Sequence, residues 1–191
     1  MRRSEKRQHL VDVAARLFNR FGYHGVGIDM VLAEAGIAKT TLYRHFKSKE
    51  DLIVAVLRDE DARFREEMRN FVDRVDGPPT EKLLATFDFL RDWFSGSHFY
   101  GCPFISAAAE YGDRETPVFQ EAALHKRLMV VYFEQLAEAA KVPDPKAVAE
   151  EINLLHEGAV AVAHMSGMCD AALKAKALGA KLLESAKEGT G

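Results

Sequence analysis

Apolar residues recur along the chain at three- and four-residue spacing, the period of an amphipathic helix. The first predicted helix begins at a Ser4 cap and ends before Gly22. Short helices follow at about residues 28–35 and 38–46, with Gly36 between them. A long helix then begins at Ser48, where Asp51 completes a capping box, and continues to about Val75. At about 1.5 Å per residue it is roughly 40 Å long.

Glycine and proline divide the rest of the chain into further helices. The stretch Gly77-Pro78-Pro79 ends the long helix, and helices follow at residues 80–94 and, after a Gly- and aromatic-rich stretch, up to about Glu110. Thr116-Pro117 and Asp144-Pro145 each match an N-cap followed by proline at the first helical position, so they predict helices at 117–141 and 145–167. The last helix is predicted at 170–187. Because no segment alternates with the period of a strand, we predict an all-α fold of about nine helices.

Residues 28–46 have the layout of a helix-turn-helix, whose second helix lies in the DNA major groove. At about 100° per residue, the polar side chains of this second helix that share one exposed arc are Thr40, Tyr43, Arg44 and Lys47. The residues predicted on the opposite side are Ala38, Leu42 and His45. Leu42 and Phe46 are expected to anchor the helix to its neighbours. Spacing alone is equally compatible with an amphipathic surface helix that has a solvated basic face.

The residue types on this arc suit contact with DNA. Lysines neutralise phosphates, which assigns Lys39, Lys47 and Lys49 to the backbone. Arg44 carries a planar guanidinium that matches the guanine edge, Thr40 can hydrogen-bond a base or contact a thymine methyl group, and Tyr43 offers a hydroxyl to a phosphate.

The charge distribution agrees with this reading. Residues 1–50 carry ten Lys and Arg against five Asp and Glu, a net charge of +5. Residues 51–191 carry sixteen against twenty-four, a net charge of −8, which together give the −3 of the whole chain. A basic end on an acidic body suits a protein that presents one end to a polyanion.

The run FGYHGVGIDMVLAEAGIAKTTLYRHFKSKEDLIVAVL resembles the N-terminal signature of the TetR family of bacterial regulators, through its AEAG, K-x-TLY-x-HF and KSK-E elements. The resemblance implies an Ω-shaped homodimer with N-terminal DNA-binding domains, C-terminal inducer pockets and a four-helix interface formed by the last two helices. By motif position it implies DNA contacts from Lys39, Thr40, Tyr43, Arg44, His45 and Lys49. Together with the helical arc, the predicted DNA-binding set is Lys39, Thr40, Thr41, Tyr43, Arg44, His45, Lys47 and Lys49.

The sequence departs from the family pattern at two helix starts. Gly27 stands where the family usually has Thr or Ser, and Asp29 is a possible substitute cap. Ala38 replaces the Ser that usually precedes the recognition-helix lysine, so that helix has no side-chain cap.

We predict a helix-turn-helix domain over residues 1–50 and an effector-binding and dimerisation domain over residues 51–191. The strings GCPFISAAAE and LLHEGAVAVAH resemble one common branch of the family without fixing a ligand. Most aromatic residues here are expected to lie in the core. His98 and Glu110 are candidates for polar groups that orient a molecule in a pocket. The predicted contacts to a small, largely apolar effector are Trp93, Phe94, Phe99, Phe104, His125, Met129, Tyr132 and His156.

Small residues are frequent in the last two helices, for example Gly158 and Ala177. They fit a dimer interface and an internal core equally well, and the C-terminal position with the family resemblance favours dimerisation. The resulting prediction is a homodimer that binds a palindromic double-stranded operator as a repressor and releases it when the effector binds.

Other classes of function fit the sequence less well. No stretch approaches the roughly 18 apolar residues that span a bilayer, and no apolar signal core follows the basic N-terminus, so we expect a cytoplasmic protein. Cys102 and Cys169 do not form a disulfide scaffold or a zinc site, although a redox-sensing pair stays open. A cysteine-dependent enzyme is disfavoured because no catalytic motif surrounds Cys102. A helical adaptor that binds protein partners is disfavoured because it does not explain the basic N-terminal region. We expect no catalysis, no cofactor and no metal.

Overall fold

The computed structural model describes residues 3–97, 99–168 and 170–188. Over these residues the protein has no strand and nine α-helices, in agreement with the predicted fold class. In chain order they are α1 (Arg3–Phe21), α2 (Ile28–Ala35), α3 (Lys39–Tyr43), α4 (Lys49–Asp73), α5 (Pro79–Phe94), α6 (Pro103–Glu110), α7 (Pro117–Ala139), α8 (Pro145–Ser166) and α9 (Ala171–Glu188). No helix within the described ranges combines the length and the apolar character that crossing a membrane requires.

The predicted caps of α4, α7 and α8 are confirmed by their hydrogen bonds. The Ser48 hydroxyl accepts from the Asp51 N–H at 3.1 Å, and the Asp51 carboxylate accepts in return from the Lys47 N–H at 3.0 Å. The Thr116 hydroxyl oxygen accepts from the third helical N–H of α7 at 3.2 Å, and the Asp144 carboxylate does the same for α8 at 3.1 Å. These side chains satisfy N–H groups that have no partner inside the helix.

Three predicted helix starts or ends are wrong. Ser4 lies inside α1, which already includes Arg3, so it is not the cap. Asp29 lies in the first turn of α2, and Gly27 is the N-cap without any side-chain bond. The second helix of the helix-turn-helix covers only Lys39–Tyr43 instead of residues 38–46, because Ala38 is its N-cap and the chain beyond Tyr43 tightens into a turn.

The chain packs as two compact units. The first comprises Met1–Arg63 and Cys102–His125, and the second comprises Phe64–Gly101 and Lys126–Gly191. Helices α4 and α7 therefore each pass from one unit into the other along the chain. The boundary placed at residue 50 divides the chain by function and stays a prediction.

The core of the first unit joins the helix-turn-helix to α1 and α4. Fully buried side chains come from each of these elements: Leu10 and Phe18, Val31, Leu42, and Leu52 and Ile53. Gly36 ends α2 in the left-handed conformation, with φ of 63°, where glycine carries no steric penalty. This single residue lets α3 leave α2 at a sharp turn.

The second unit is built on the mutual packing of α5, α8 and α9. Its fully buried residues include Phe87, Phe133 and Ile152. Gly179 of α9 lies in this contact, since a Cβ added there would be 3.2 Å from both Ile152 and Phe87. A glycine at this position allows the three helices to approach closely.

Candidate DNA-binding interface and aromatic clusters

The short helix α3 presents the polar arc that its sequence predicts. Lys39, Thr40, Tyr43, Arg44 and Lys47 are exposed, whereas Leu42 and Phe46 are buried. The N–H groups of His45 and Phe46 both bond to the Leu42 carbonyl, at 2.8 and 2.9 Å, so the turn after α3 stays ordered and keeps Lys47 next to the helix.

The remaining members of the predicted set are only partly exposed. Thr41, His45 and Lys49 are half-buried, in contrast to the five exposed side chains. Ala38, predicted on the buried side, is exposed because it precedes the helix as its cap. The eight predicted DNA-binding residues are therefore contiguous in the chain but unequal in their access to a large ligand.

Two side chains of α1 hold the helix-turn-helix in place. The His9 ring lies 3.1 Å from the Ala35 carbonyl at the end of α2, and the Arg7 guanidinium lies 5.2 Å from the centre of the Phe46 ring. The second contact is a cation–π interaction. Neither contact is predicted from the sequence, because the positions of His9 and Arg7 along α1 do not indicate which distant groups their side chains contact.

Lys39 forms an ion pair with Asp29 of α2, with 3.2 Å between its Nζ and the carboxylate. Both side chains are largely exposed, so the pair contributes little to stability. It does orient the Lys39 side chain.

The predicted effector-binding residues fall into four groups, three in the second unit and one in the first. In the second unit, Trp93 contacts Phe99 and Phe94 with ring centres 4.9 and 5.7 Å apart, and Phe64 of α4 lies 5.1 Å from Trp93. The aromatic cluster so defined (Phe64, Trp93, Phe94 and Phe99) is the largest grouping of the predicted pocket residues in that unit.

His156 lies elsewhere in the second unit, fully enclosed between Phe87 and Phe133, whose ring centres are 4.2 and 4.6 Å away. The Thr86 hydroxyl donates to the Leu83 carbonyl at 2.7 Å, and its oxygen lies 2.9 Å from His156 Nε2. Since the Thr86 hydroxyl proton points at Leu83, His156 Nε2 is the donor in this bond. Burial, with a smaller contribution from Lys126, lowers the pKa of His156 from 6.5 to about 3.

Tyr132 and Met129 lie on α7 in the same unit. Both are largely buried, and the Arg69 guanidinium stands 5.5 Å from the centre of the Tyr132 ring. Burial and the nearby Asp73 raise the pKa of the Tyr132 hydroxyl to about 12, so the phenol is neutral at physiological pH.

Phe104 and His125 belong to the first unit and stack face to face, with ring centres 3.6 Å apart and planes inclined by 8°. His125 Nδ1 lies 2.7 Å from the Asp61 carboxylate of α4. This Asp61–His125–Phe104 cluster ties α4, α7 and α6 together.

The polar groups considered for a pocket belong to both units. Glu110 binds backbone at the α1–α2 turn in the first unit, and His156 lies in the second. His98 and Cys169 fall outside the described residues. Cys102 is buried and is not in a disulfide. No group of three His, Cys, Asp or Glu residues in the described ranges is arranged to hold a metal ion.

The small residues of α8 and α9 divide between a core face and an exposed face. Ala159, Val160 and Ala163 are buried. On the other side of α8, Glu150 and Glu151 are exposed first, and an exposed stripe of uncharged residues follows them: Leu154, Gly158, Ala161, Val162 and Met165. Leu154 and Met165 are 73% and 85% exposed, which is unusual for large apolar side chains, and Leu173, Ala177 and Leu178 are exposed on α9.

Two family models match the chain. Residues 10–56 match the model described as bacterial regulatory proteins, tetR family. Residues 79–178 match the model described as tetracyclin repressor-like, C-terminal domain. The second match alone spans more than half of the 191 residues.

Solved structures with the same fold include a TetR-family transcriptional regulator from Streptomyces coelicolor. It is 28% identical, with 96% of each chain covered and a TM-score of 0.89. The reduced form of NemR from Escherichia coli superposes with a TM-score of 0.83 over 92% of this chain and 95% of that one. At 22% identity, this second likeness establishes the fold alone.

Curated relatives include the HTH-type transcriptional regulator YjdC of Escherichia coli, 25% identical over 80% of both proteins. The fatty acid metabolism regulator protein of Bacillus subtilis is 30% identical over 80 residues, which are 42% of this chain. For three of the curated relatives the match spans only 38%, 32% and 25% of their own length.

Proposed function

The chain belongs to the TetR family of bacterial regulatory proteins, and we propose that it is a sequence-specific DNA-binding repressor that a small molecule releases from its operator. The observation that carries the DNA-binding half is the exposed polar arc of α3, held on the buried Leu42 and Phe46. A helix anchored on one side and polar on the other can enter the major groove without losing its position.

The proposed contacts divide by chemistry. Arg44 reads guanine, with Thr40 and Thr41 beside it for bases or nearby phosphates. Lys39, Lys47 and Lys49 neutralise phosphates, and Tyr43 donates its hydroxyl to one. His45 is half-buried, and its proposed contact is limited to the DNA backbone.

Arg44→Ala and Lys47→Ala are expected to have different effects, although each removes one exposed cation from the same segment. Arg44→Ala should weaken binding to the operator by about 1–3 kcal/mol and spare binding to random DNA. Lys47→Ala should weaken binding to both and flatten the plot of log affinity against log salt concentration by about one unit. Fluorescence anisotropy on both DNAs at several salt concentrations measures these quantities.

Lys146→Ala is the matched control, because Lys146 is exposed at the start of α8 in the second unit. Its affinity and salt dependence should equal those of the wild type. Equal losses on operator and random DNA in the Arg44 variant would show that Arg44 contacts only the backbone.

We place the dimer interface on the uncharged stripe of α8 and the exposed apolar residues of α9. An apolar surface this exposed is typical of an interface that a partner covers. Two copies joined here would present two α3 helices to a palindromic operator, whose half-sites are about 34–36 Å apart or a multiple of that distance.

The effector site that we propose lies at the aromatic cluster Phe64, Trp93, Phe94 and Phe99 of the second unit, with Met129, Tyr132 and His156 of the same unit as further predicted contacts. Aromatic rings at this density suit a small, largely apolar molecule. Phe64 belongs to α4, the helix that begins at Lys49 directly after the DNA-binding segment. A ligand that prefers the position of α4 found in the non-binding state would shift the population away from DNA.

Compounds that quench the emission of Trp93, the single tryptophan of the chain, are expected to dissociate the operator complex. Reciprocity requires that operator DNA weaken binding of the same compound by the same factor. Fluorescence titration with and without operator measures this factor, and N-acetyltryptophanamide controls for quenching without binding. Compounds that bind at Trp93 and leave operator affinity unchanged would rule out release through this cluster.

A further inference from the structure

The carboxylate of Glu110 is engaged with the turn between α1 and α2, 86 or more residues earlier in the chain. It accepts the N–H of Tyr23 at 2.8 Å and the N–H of His24 at 2.5 Å, and one of its oxygens lies 3.2 Å from the His24 ring. The Tyr23 hydroxyl donates to the Pro103 carbonyl at 3.1 Å. Both ends of α6 therefore hold the turn that leads into the helix-turn-helix.

The turn is shaped to receive this carboxylate. Gly22 has φ of 78°, and a Cβ at this position would lie 3.0 Å from the nearer Glu110 oxygen. Consecutive N–H groups that follow a left-handed residue form a concavity that binds anions. The Tyr23 ring is fully buried and stacks on Phe18 at 5.2 Å, so the turn is fixed on its inner side as well.

The position of Glu110 is unfavourable for α6 itself. A negative charge in the last turn of a helix opposes the helix dipole, which destabilises the helix. Two charge-assisted hydrogen bonds from the turn outweigh this destabilisation. The Glu110 side chain therefore stabilises the α1–α2 turn and not α6.

From this geometry we infer that Glu110 is a positioning residue for DNA binding, one that holds the helix-turn-helix in register through the α1–α2 turn. This inference rests on the proposed function, since it assigns a further residue to the same DNA-binding activity. Glu110 does not contact DNA in this account. It fixes the starting point of α2. The buried side chains of Val31 in α2 and Leu42 in α3 then hold these two helices in the core of the unit.

The sign of the effect on affinity separates positioning from simple electrostatics. Removing an anion from a DNA-binding unit raises affinity for DNA if charge alone matters. Losing the position of the helix-turn-helix lowers affinity instead. Glu110→Ala is expected to lower operator affinity about tenfold or more with an unchanged slope against log salt, because no phosphate contact is lost.

Glu110→Gln should restore part of the affinity, because the amide oxygen can accept one turn N–H without the charge. Tyr23→Phe, which removes only the hydroxyl bond to Pro103, should lower affinity by a smaller factor in the same direction. Both variants retain buried volume, so they fold even if Glu110→Ala does not. Unchanged or higher operator affinity in Glu110→Gln and Tyr23→Phe at matched salt overturns the inference.

Hydrogen exchange distinguishes failure of this inference from failure of the proposed function. Amides of residues 22–35 should exchange faster in Glu110→Gln than in the wild type, whether or not the protein binds DNA. If the wild type binds no DNA and the variant still shows this faster exchange, the proposed function is refuted but the contact of Glu110 with the α1–α2 turn is supported. Identical exchange in the two proteins would refute the positioning role of Glu110.

Discussion

Replacing Gly158 with glutamate is expected to convert the dimer into a monomer and to lower operator affinity by about 10²–10⁴-fold, the gain that joining two binding modules provides. Gly158 lies in the middle of the uncharged stripe of α8 and is exposed. No atom lies within 4 Å of a Cβ added there, so the folded chain accommodates a side chain. A helix-interior glycine is itself unfavourable, and the substitution does not weaken α8.

Only a partner copy is affected by the new charge, because burying an unpaired carboxylate at an apolar contact is costly. Light scattering measures the molecular mass, and circular dichroism verifies that the helical content is retained. Gly112→Glu is the matched control, since Gly112 is also exposed and open but lies outside α8. A Gly158→Glu protein that stays dimeric would remove α8 from the interface.

Lowering the pH from 6.5 to 4.5 is expected to reduce the free energy of unfolding through His156 by about 2–3 kcal/mol, at about 1.4 kcal/mol per pH unit for one proton. Burial lowers the pKa of His156 from 6.5 to about 3 in the folded protein. Below pH 6.5 the unfolded chain takes up a proton that the folded chain refuses until about pH 3. The loss therefore falls between these two values, and His156 has no effect on the pH dependence above them.

Urea unfolding at a series of pH values measures the effect. The double variant His156→Leu and Thr86→Val removes both buried polar groups together, so no partner is left unsatisfied. Its stability should depend less steeply on pH than that of the wild type, by about one proton. Equal pH dependence of the two proteins would show that His156 takes up its proton at the same pH in the folded and the unfolded state.

Local patterns in the sequence predicted the helices well, but they did not predict contacts between distant residues. Ser48, Thr116 and Asp144 cap helices through bonds to residues three positions away, which a spacing pattern reveals. The partners of His156, His125 and Glu110 lie 70, 64 and 87 residues away. Periodicity marks such residues as buried or exposed but does not identify what they meet.

The same limit explains the mixed result for the candidate sites. The arc of α3 depends only on helical spacing and on two buried anchors, and the exposed residues are those predicted. Grouping aromatic residues requires tertiary contacts, which stack Phe104 on His125 in the first unit and join Trp93 to Phe99 in the second. One usable signal was overlooked, the acidic Glu110 in the last turn of α6, where a helix disfavours negative charge.

Selection from a random-sequence DNA library, followed by anisotropy on the selected site, measures whether α3 reads a DNA sequence. We expect a palindromic site that the wild type binds at least about 10³-fold more tightly than random DNA of the same length and at the same salt concentration. Arg44→Ala should lose most of this preference. Equal affinity of the wild type for selected and random DNA would contradict the account.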